Sequence, residues 1–382
     1  MTLFEPTWDQ ARETAANLGS FIGVELLPLK KVSGRVLAND AKSLVALPTY
    51  ETSAMDGYAV AGKGPWKLIG EVKAGAPHQD VLPDGQALGI ATGAVIPQGT
   101  FGILRWENAK VENEIVYGET ELRKDFRPAG QEAKLNEVII KKGRKLTAGM
   151  VGLLAAAGYD QVEVAIRPKV ALLILGDEIQ LSGLPKDGLV RDSLGPQLPI
   201  WFEKLGCEVI SVEYVSDDLN LTIAAIENAL KDADILATTG GTADGPRDFL
   251  HAAISKLNGE VLVDKVAVRP GHPQLLAEVA GKALIGLPGN PQSAVVSMMT
   301  LAQPLIDAML GKSQRELPLI SSDDQFDAQP GFTRLVLGQL NNGKFSAGEF
   351  LGSAMLRSLA HADGFAICTN PPTTLRWLGL PL

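Results

Sequence analysis

Between residues 167 and 312, apolar strand-like runs alternate with amphipathic helical stretches. This alternation constrains the fold of the chain more than any other feature. The order is PKVALLILG, LGPQLPIWFEKLG, CEVISVEYV, LNLTIAAIENALK, ADILATTGG and RDFLHAAISKL. Strand–helix–strand order predicts a parallel sheet with crossover helices, hence an α/β domain. Ligands of such sheets bind beyond the carboxyl ends of the strands. The loops after Leu175, Val215, Gly241 and Leu287 are therefore where a site is expected.

The rest of the chain has a different texture. Residues 7–19 read as a short helix that stops at Gly19. From 44 to 137 the pattern is short strands (WKLIGEV, ALGIATGAVIP, FGILRW, AKVENEIVY) cut by Gly, Pro and Asn, as in a small β-rich domain. LTAGMVGLLAAAG reads as an apolar helix closed by Gly158. The expected division is a discontinuous N-terminal linker or dimerisation domain (1–43 and 138–166), an inserted β-rich domain (44–137), the α/β domain (167–312) and a C-terminal β-barrel-like domain (313–382). The 40 glycines and 23 prolines fit many turns.

Composition removes several function classes. A net charge of −9 argues against nucleic acid or an anionic membrane as a partner. An anionic ligand would need a local basic pocket. The two cysteines, Cys207 and Cys368, form no CxxC, and the four histidines form no HxxxH pair. Neither a disulfide framework nor a zinc site is expected, and a reducing compartment is the default. The opening segment lacks a basic region followed by an apolar core. No uncharged apolar run is long enough for a membrane span. A soluble, cytoplasmic protein is expected.

Six segments carry potential chemistry. Pro48–Val60 presents Asp56 before a glycine, which suits metal or acid/base work, although on local grounds a hairpin turn comes first. Leu175-Gly-Asp-Glu178 and Val215-Ser-Asp-Asp218 each follow a strand. Thr238-Thr-Gly-Gly-Thr-Ala-Asp-Gly-Pro-Arg-Asp248 has the free N–H groups of a phosphate seat, with Arg247 as a further donor, or is simply a strand-to-helix turn. Leu287-Pro-Gly-Asn-Pro-Gln-Ser-Ala294 offers Asn290 as a helix cap and Pro291 as its first residue. The carboxylates Asp177, Glu178, Asp217, Asp218, Asp244 and Asp248 invite a hard cation such as Mg²⁺; each could instead cap a helix or face water. Arg269-Pro-Gly-His272-Pro273 is either an anion contact or a surface turn. The GKS at 311–313 lacks the glycine that a P-loop requires at Ile306, and there is no dinucleotide GxGxxG and no GxSxG elbow.

Taken together and in order, these motifs resemble the molybdopterin molybdotransferases, the MoeA and gephyrin E-domain family, over essentially the whole chain. SAMDGYAV stands at Ser53–Val60, and ATGAVIPQG carries Thr92 and Gly93. Glu107, Arg127-Pro-Ala-Gly-Gln-Glu132, Gly176-Asp-Glu178, Arg191-Asp-Ser193, Asp217-Asp218, TTGG with Gly245 and Asp248, LPGNPxSA and Gly352-Ser353 follow. The resemblance implies an elongated four-domain homodimer with a MogA-like α/β domain. It implies a cleft between that domain and the SAMDGYAV module of the partner subunit, with Mg²⁺ present. The implied reaction inserts molybdate into adenylated molybdopterin and releases AMP.

By resemblance, Asp56, Glu178, Asp217 and Asp248 would be catalytic, with Asp56, Glu178 and Asp217 holding metal. Thr92, Glu107, Arg127, Gly240, Gly241, Arg269, His272, Pro288, Asn290 and Ser353 would bind the ligand. A MogA-like adenylyltransferase is an implied partner. The chain departs from the family pattern at Leu175, Leu194, Ala243-Asp244, His272, Glu132 and Phe101. These changes motivate a second reading, a weak or inactive paralogue that binds molybdopterin or acts as a scaffold.

Overall fold

A seven-stranded sheet organises the α/β region. Its strand Lys169–Leu175 lies between Glu208–Val215 and Ile235–Thr239, and Lys282–Leu287 follows; all four run parallel. Side chains of the central strand alternate between two cores, as a period of two requires. Val170 and Leu172 pack with Leu198 and Phe202 of helix Leu194–Leu205. Ala171 and Leu173 pack on the other side with Ile226 and Leu230 of helix Leu219–Asp232.

The sheet is not parallel throughout, as the alternation predicted. Leu275–Val279 runs antiparallel to both Lys282–Leu287 and Glu260–Asp264. The cause is the two-residue turn Ala280-Gly281, both at positive φ. Two residues can close a hairpin, whereas a parallel return needs a dozen or more.

This computed structural model describes residues 2–242, 248–313, 316–369 and 374–381. Ala243, Asp244, Gly245 and Arg247 of the glycine-rich loop lie outside them. The chain forms two compact units: residues 1–25, 34–38 and 163–382 make one, and residues 26–33 and 39–162 the other. In the first unit the helix Trp8–Leu18 starts at Thr7, whose hydroxyl and Gln10 form a capping box, and it ends at Gly19. The C-terminal strands Thr333–Asn341, Lys344–Ala347, Leu319–Ser322, Leu375–Gly379 and Gly364–Cys368 close into a barrel.

The second unit is built on a six-stranded sheet. Its strand Gly57–Val60 sits between Gln86–Ile90 and Gly102–Arg105. Gly57 is obligatory there, because a Cβ would lie 2.3 Å from the carbonyl oxygen of Leu104. The glycine of the SAMDGYAV segment thus serves close strand packing. The helix Ala148–Ala156 in the same unit is apolar along its whole length, and only Leu154 is buried. Among the described residues no helix is long and apolar enough to cross a membrane.

Candidate active site

Four parallel strands deliver their following loops to one edge of the α/β sheet. The loops join one another through the backbone. The Gly176 N–H donates to Val215 O at 3.3 Å, and the Gly240 N–H donates to Leu287 O at 2.9 Å. Gly240 and Gly241 sit at φ 80° and 68°, where a side chain would be strained. A Cβ on Gly240 would also lie 3.2 Å from Leu175 O. Glu178 is exposed on the first of these loops. Asp217, on the next, donates its N–H to Asp177 Oδ1 at 3.3 Å, so the two acidic loops touch. Asp218 is committed elsewhere: it caps helix Leu219–Asp232, accepting from the N–H groups of Asn220 and Leu221. Asp248 is half-buried just before helix Leu250–Lys256.

Asp192 of the RDS segment is also committed. It is buried and accepts three hydrogen bonds, from the Leu194 and Gly195 N–H groups and from the Tyr214 hydroxyl at 2.8 Å. Burial and this bond both raise the Tyr214 pKa.

The structure adds a residue that sequence reasoning did not single out. The short strand Val268–Arg269 runs parallel to Thr333–Asn341 with Arg269 opposite Arg334. Like charges side by side on neighbouring strands repel. Neither arginine forms a salt bridge among the described residues. Arg269 stacks over the Phe332 ring at 4.8 Å and donates from Nη1 to Val268 O at 3.4 Å, and Arg334 Nη1 donates to the Asp327 carbonyl at 3.1 Å. A guanidinium fork suits an oxyanion, and this register brings two arginines onto neighbouring strands. Nothing local in the sequence signals the pairing, because Arg334 lies in a different β element, far along the chain. His272 meets Glu5 instead, Nε2 to Oε1 at 2.6 Å, and tilts against Phe332.

Pro288 is buried, and Asn290 is exposed at the cap of helix Pro291–Ser297 without a side-chain capping bond. The next residue joins this loop to Ser353: the Gln292 N–H donates to Ser353 O at 2.9 Å.

In the β-rich unit three segments converge on Asp56. Thr52-Ser53 pairs with Phe126-Arg127. The Ser53 N–H donates to Ala94 O, and the Gly93 N–H returns a bond to Ser53 O. The Thr92 N–H donates to Asp56 Oδ1 at 2.6 Å. Asp56 is exposed, and this bond holds its carboxylate in place. Glu107 lies on the turn after Arg105, 3.7 Å from that guanidinium. Arg105 is held by Asp125 through two bonds of 2.8 Å, which depress the Asp125 carboxyl below its ordinary range. Arg127 is exposed. Among the described residues no three acidic, histidine or cysteine side chains converge as a metal cage.

Two family models match the chain: the MoeA N-terminal region (domains I and II) over residues 7–158, and a domain described as "Probable molybdopterin binding domain" over residues 171–308. A molybdopterin molybdenumtransferase from Haemophilus influenzae is 33% identical over 322 residues, covering 82% of this chain and 80% of the relative. One from Staphylococcus aureus (strain COL) is 31% identical, covering 93% and 89%. The crystal structure of the molybdopterin biosynthesis MoeA protein from Pyrococcus horikosii superposes with a TM-score of 0.81 at 27% identity, over 98% of this chain and 97% of that one. With identity and fold agreeing over nearly its whole length, this chain belongs to the molybdopterin molybdenumtransferase (MoeA) family.

Proposed function

We propose that this protein is the enzyme that inserts molybdate into adenylated molybdopterin and releases AMP, in molybdenum cofactor biosynthesis. The observation that carries the reading is the Arg269–Arg334 pair: two arginines in register on neighbouring strands, neither in a salt bridge among the described residues, in a family whose members are named for transferring molybdenum. Molybdate is a dianion of tetrahedral oxygens, and two guanidinium forks match it. The Gly240-Gly241 loop, Pro288, Asn290 and Ser353 would receive the molybdopterin phosphates. Thr92, Glu107 and Arg127 would complete a ligand surface around Asp56, whose carboxylate is the proposed acid/base group. His272, already engaged by Glu5, would contribute through the shape of its loop.

Mg²⁺ fits the acidic loops in a limited way. It commonly takes one or two carboxylates and fills its octahedron with water and substrate phosphate oxygens. Glu178 and Asp217, on touching loops, would hold it, with Asp248 just before helix Leu250–Lys256. Bound there, it would neutralise charge on the phosphate oxygens.

The protein is proposed to act as a homodimer in the cytoplasm. The apolar helix Ala148–Ala156, whose Met150, Val151 and Leu153 are only half-buried, supports self-association. The two cysteines, buried and unbridged, suit a reducing compartment. The adenylated substrate would come from a MogA-like adenylyltransferase.

The test is AMP release by the purified protein from adenylated molybdopterin, with Mg²⁺ present and molybdate varied. Molybdate-dependent release that falls by about 10²-fold or more in Asp56→Ala is expected. Tight binding without AMP release would replace the enzyme with a carrier or scaffold of the same fold.

A further inference from the structure

The helical run that follows the Pro288–Asn290 loop is not uniform. An α-helical start, Pro291–Ser297, leads into a π-helical turn, Met298–Ala302, and then an α-helical end, Gln303–Met309. The sequence accounts for the turn. Pro304 has no N–H, and its ring pushes away the carbonyl four residues back, that of Thr300. The Gln303 N–H reaches five residues back to Met298 O. Met299 O thus loses both donors that could have served it, in a segment that is entirely buried. A buried carbonyl must find another partner.

Helix Trp8–Leu18 supplies that partner. Arg12 Nη1 donates to Met299 O, and both Nη atoms lie 3.4 Å from Gln303 Oε1. Trp8 Nε1 donates to Thr300 Oγ1 at 3.0 Å, and that hydroxyl donates to Val296 O at 2.7 Å. The Arg12 guanidinium lies over the Trp8 ring at 4.8 Å, and Arg376 lies over the same ring at 5.3 Å. Asp9 fixes Arg376 with two bonds of 2.9 and 3.0 Å. Burial lowers the Arg12 pKa to about 10, so a cation is kept here at a cost in hydration.

A π turn amounts to one residue inserted in an α-helix. It rotates everything on one side by about 100° and shifts it by about 1.5 Å. Upstream of this turn lies Gln292, with its N–H on Ser353 O at 2.9 Å and its Nε2 3.4 Å from both Phe350 O and Met355 O. We propose that Trp8 and Arg12 are positioning residues: by holding the π turn they fix the rotation of Pro291–Ser297, and through it the presentation of Pro288, Asn290 and Ser353 to the substrate. The proposal rests on the functional reading above.

Trp8→Phe and Thr300→Val test it: Thr300→Val removes one hydroxyl at nearly constant shape, whereas Trp8→Phe removes the Nε1 donor together with part of the buried ring; Glu13→Gln, at an exposed position of the same helix, is the control. Amide exchange across residues 291–302 should accelerate about tenfold or more in the two test variants and not in the control. The Kd and KM for adenylated molybdopterin should rise about fivefold, with kcat within about twofold of the parent. A lower Tm with unchanged exchange and unchanged Kd would reduce Trp8 and Arg12 to structural residues and overturn the proposal. If the parent binds but releases no AMP, the enzyme reading falls, while exchange and Kd still decide the role of Trp8 and Arg12.

Discussion

The α/β unit and the β-rich unit each place several motif carboxylates on loops, but they use them differently. In the α/β unit three are held by backbone N–H groups. Asp218 caps one helix, Asp192 anchors another, and Asp177 receives the Asp217 N–H. In the β-rich unit Asp125 is spent on Arg105, while the exposed Asp56 accepts the Thr92 N–H. An ionised carboxylate can accept about four hydrogen bonds, so the single Thr92 bond orients Asp56 without saturating it. An aspartate in a recurring segment therefore need not touch substrate. The partners it already has separate scaffold from chemistry.

Asp192 gives the largest effect and the sharpest way to break this contrast. Asp192→Ala would strip two helix-start N–H groups and the Tyr214 hydroxyl of their acceptor inside a buried site. A loss of about 2–4 kcal/mol in unfolding free energy is expected, measured by urea denaturation. Tyr214→Phe should cost less, because the two backbone bonds remain. If Asp192→Ala instead kept full stability and lost molybdopterin binding, Asp192 would move from scaffold to site.

Much of the α/β unit was legible in the sequence because its signals are local. Thr7 and Gly19 bound a helix, and Asp218 precedes LNLTIAAIENALK in the position of a cap. The apolar runs became strands. What was not legible depended on partners distant in sequence. Nothing around Ala280-Gly281 reveals that its two strands replace a crossover, until the two-residue turn is seen between them. Arg334 carries no motif, and only its register with Arg269 marks it. Pro304 marks a break in the last helical run, but that Arg12, far upstream, serves the Met299 carbonyl there could not be read locally. At the candidate site the sequence supplied residue types and order. It could not say which carboxylates are already engaged, because capping and ligation draw on the same residues.

The arginines come next. Arg334→Gln should weaken molybdate binding about tenfold, as the loss of one charge-assisted contact implies, and Arg269→Gln should do likewise. Isothermal titration with molybdate measures both. Equal affinity in parent and variants would show that mutual repulsion at this register serves something other than an oxyanion. The seat would then have to be sought among the loops at the α/β edge.

The smallest effect concerns Asp125, the spent carboxylate of the β-rich unit. Its pKa is depressed, chiefly by the hydrogen bond from Arg105. A depressed carboxylate adds stability that is fully present above its unfolded value, about 3.9, and that disappears as pH falls through the folded value below it. Parent and Asp125→Asn should therefore differ in Tm at pH 7 and converge below about pH 4. The difference should be only about one to two degrees, because Arg105 is 34% exposed and water screens the pair. Thermal melts of both proteins from pH 7 to pH 3 measure it. A gap that persisted or widened in acid would mean that Asp125 acts through geometry alone, holding the turn that carries Glu107, and not through its charge. That outcome would erase the line drawn between Asp125 as scaffold and Asp56 as chemistry, since both would then hold loops in place around the same site.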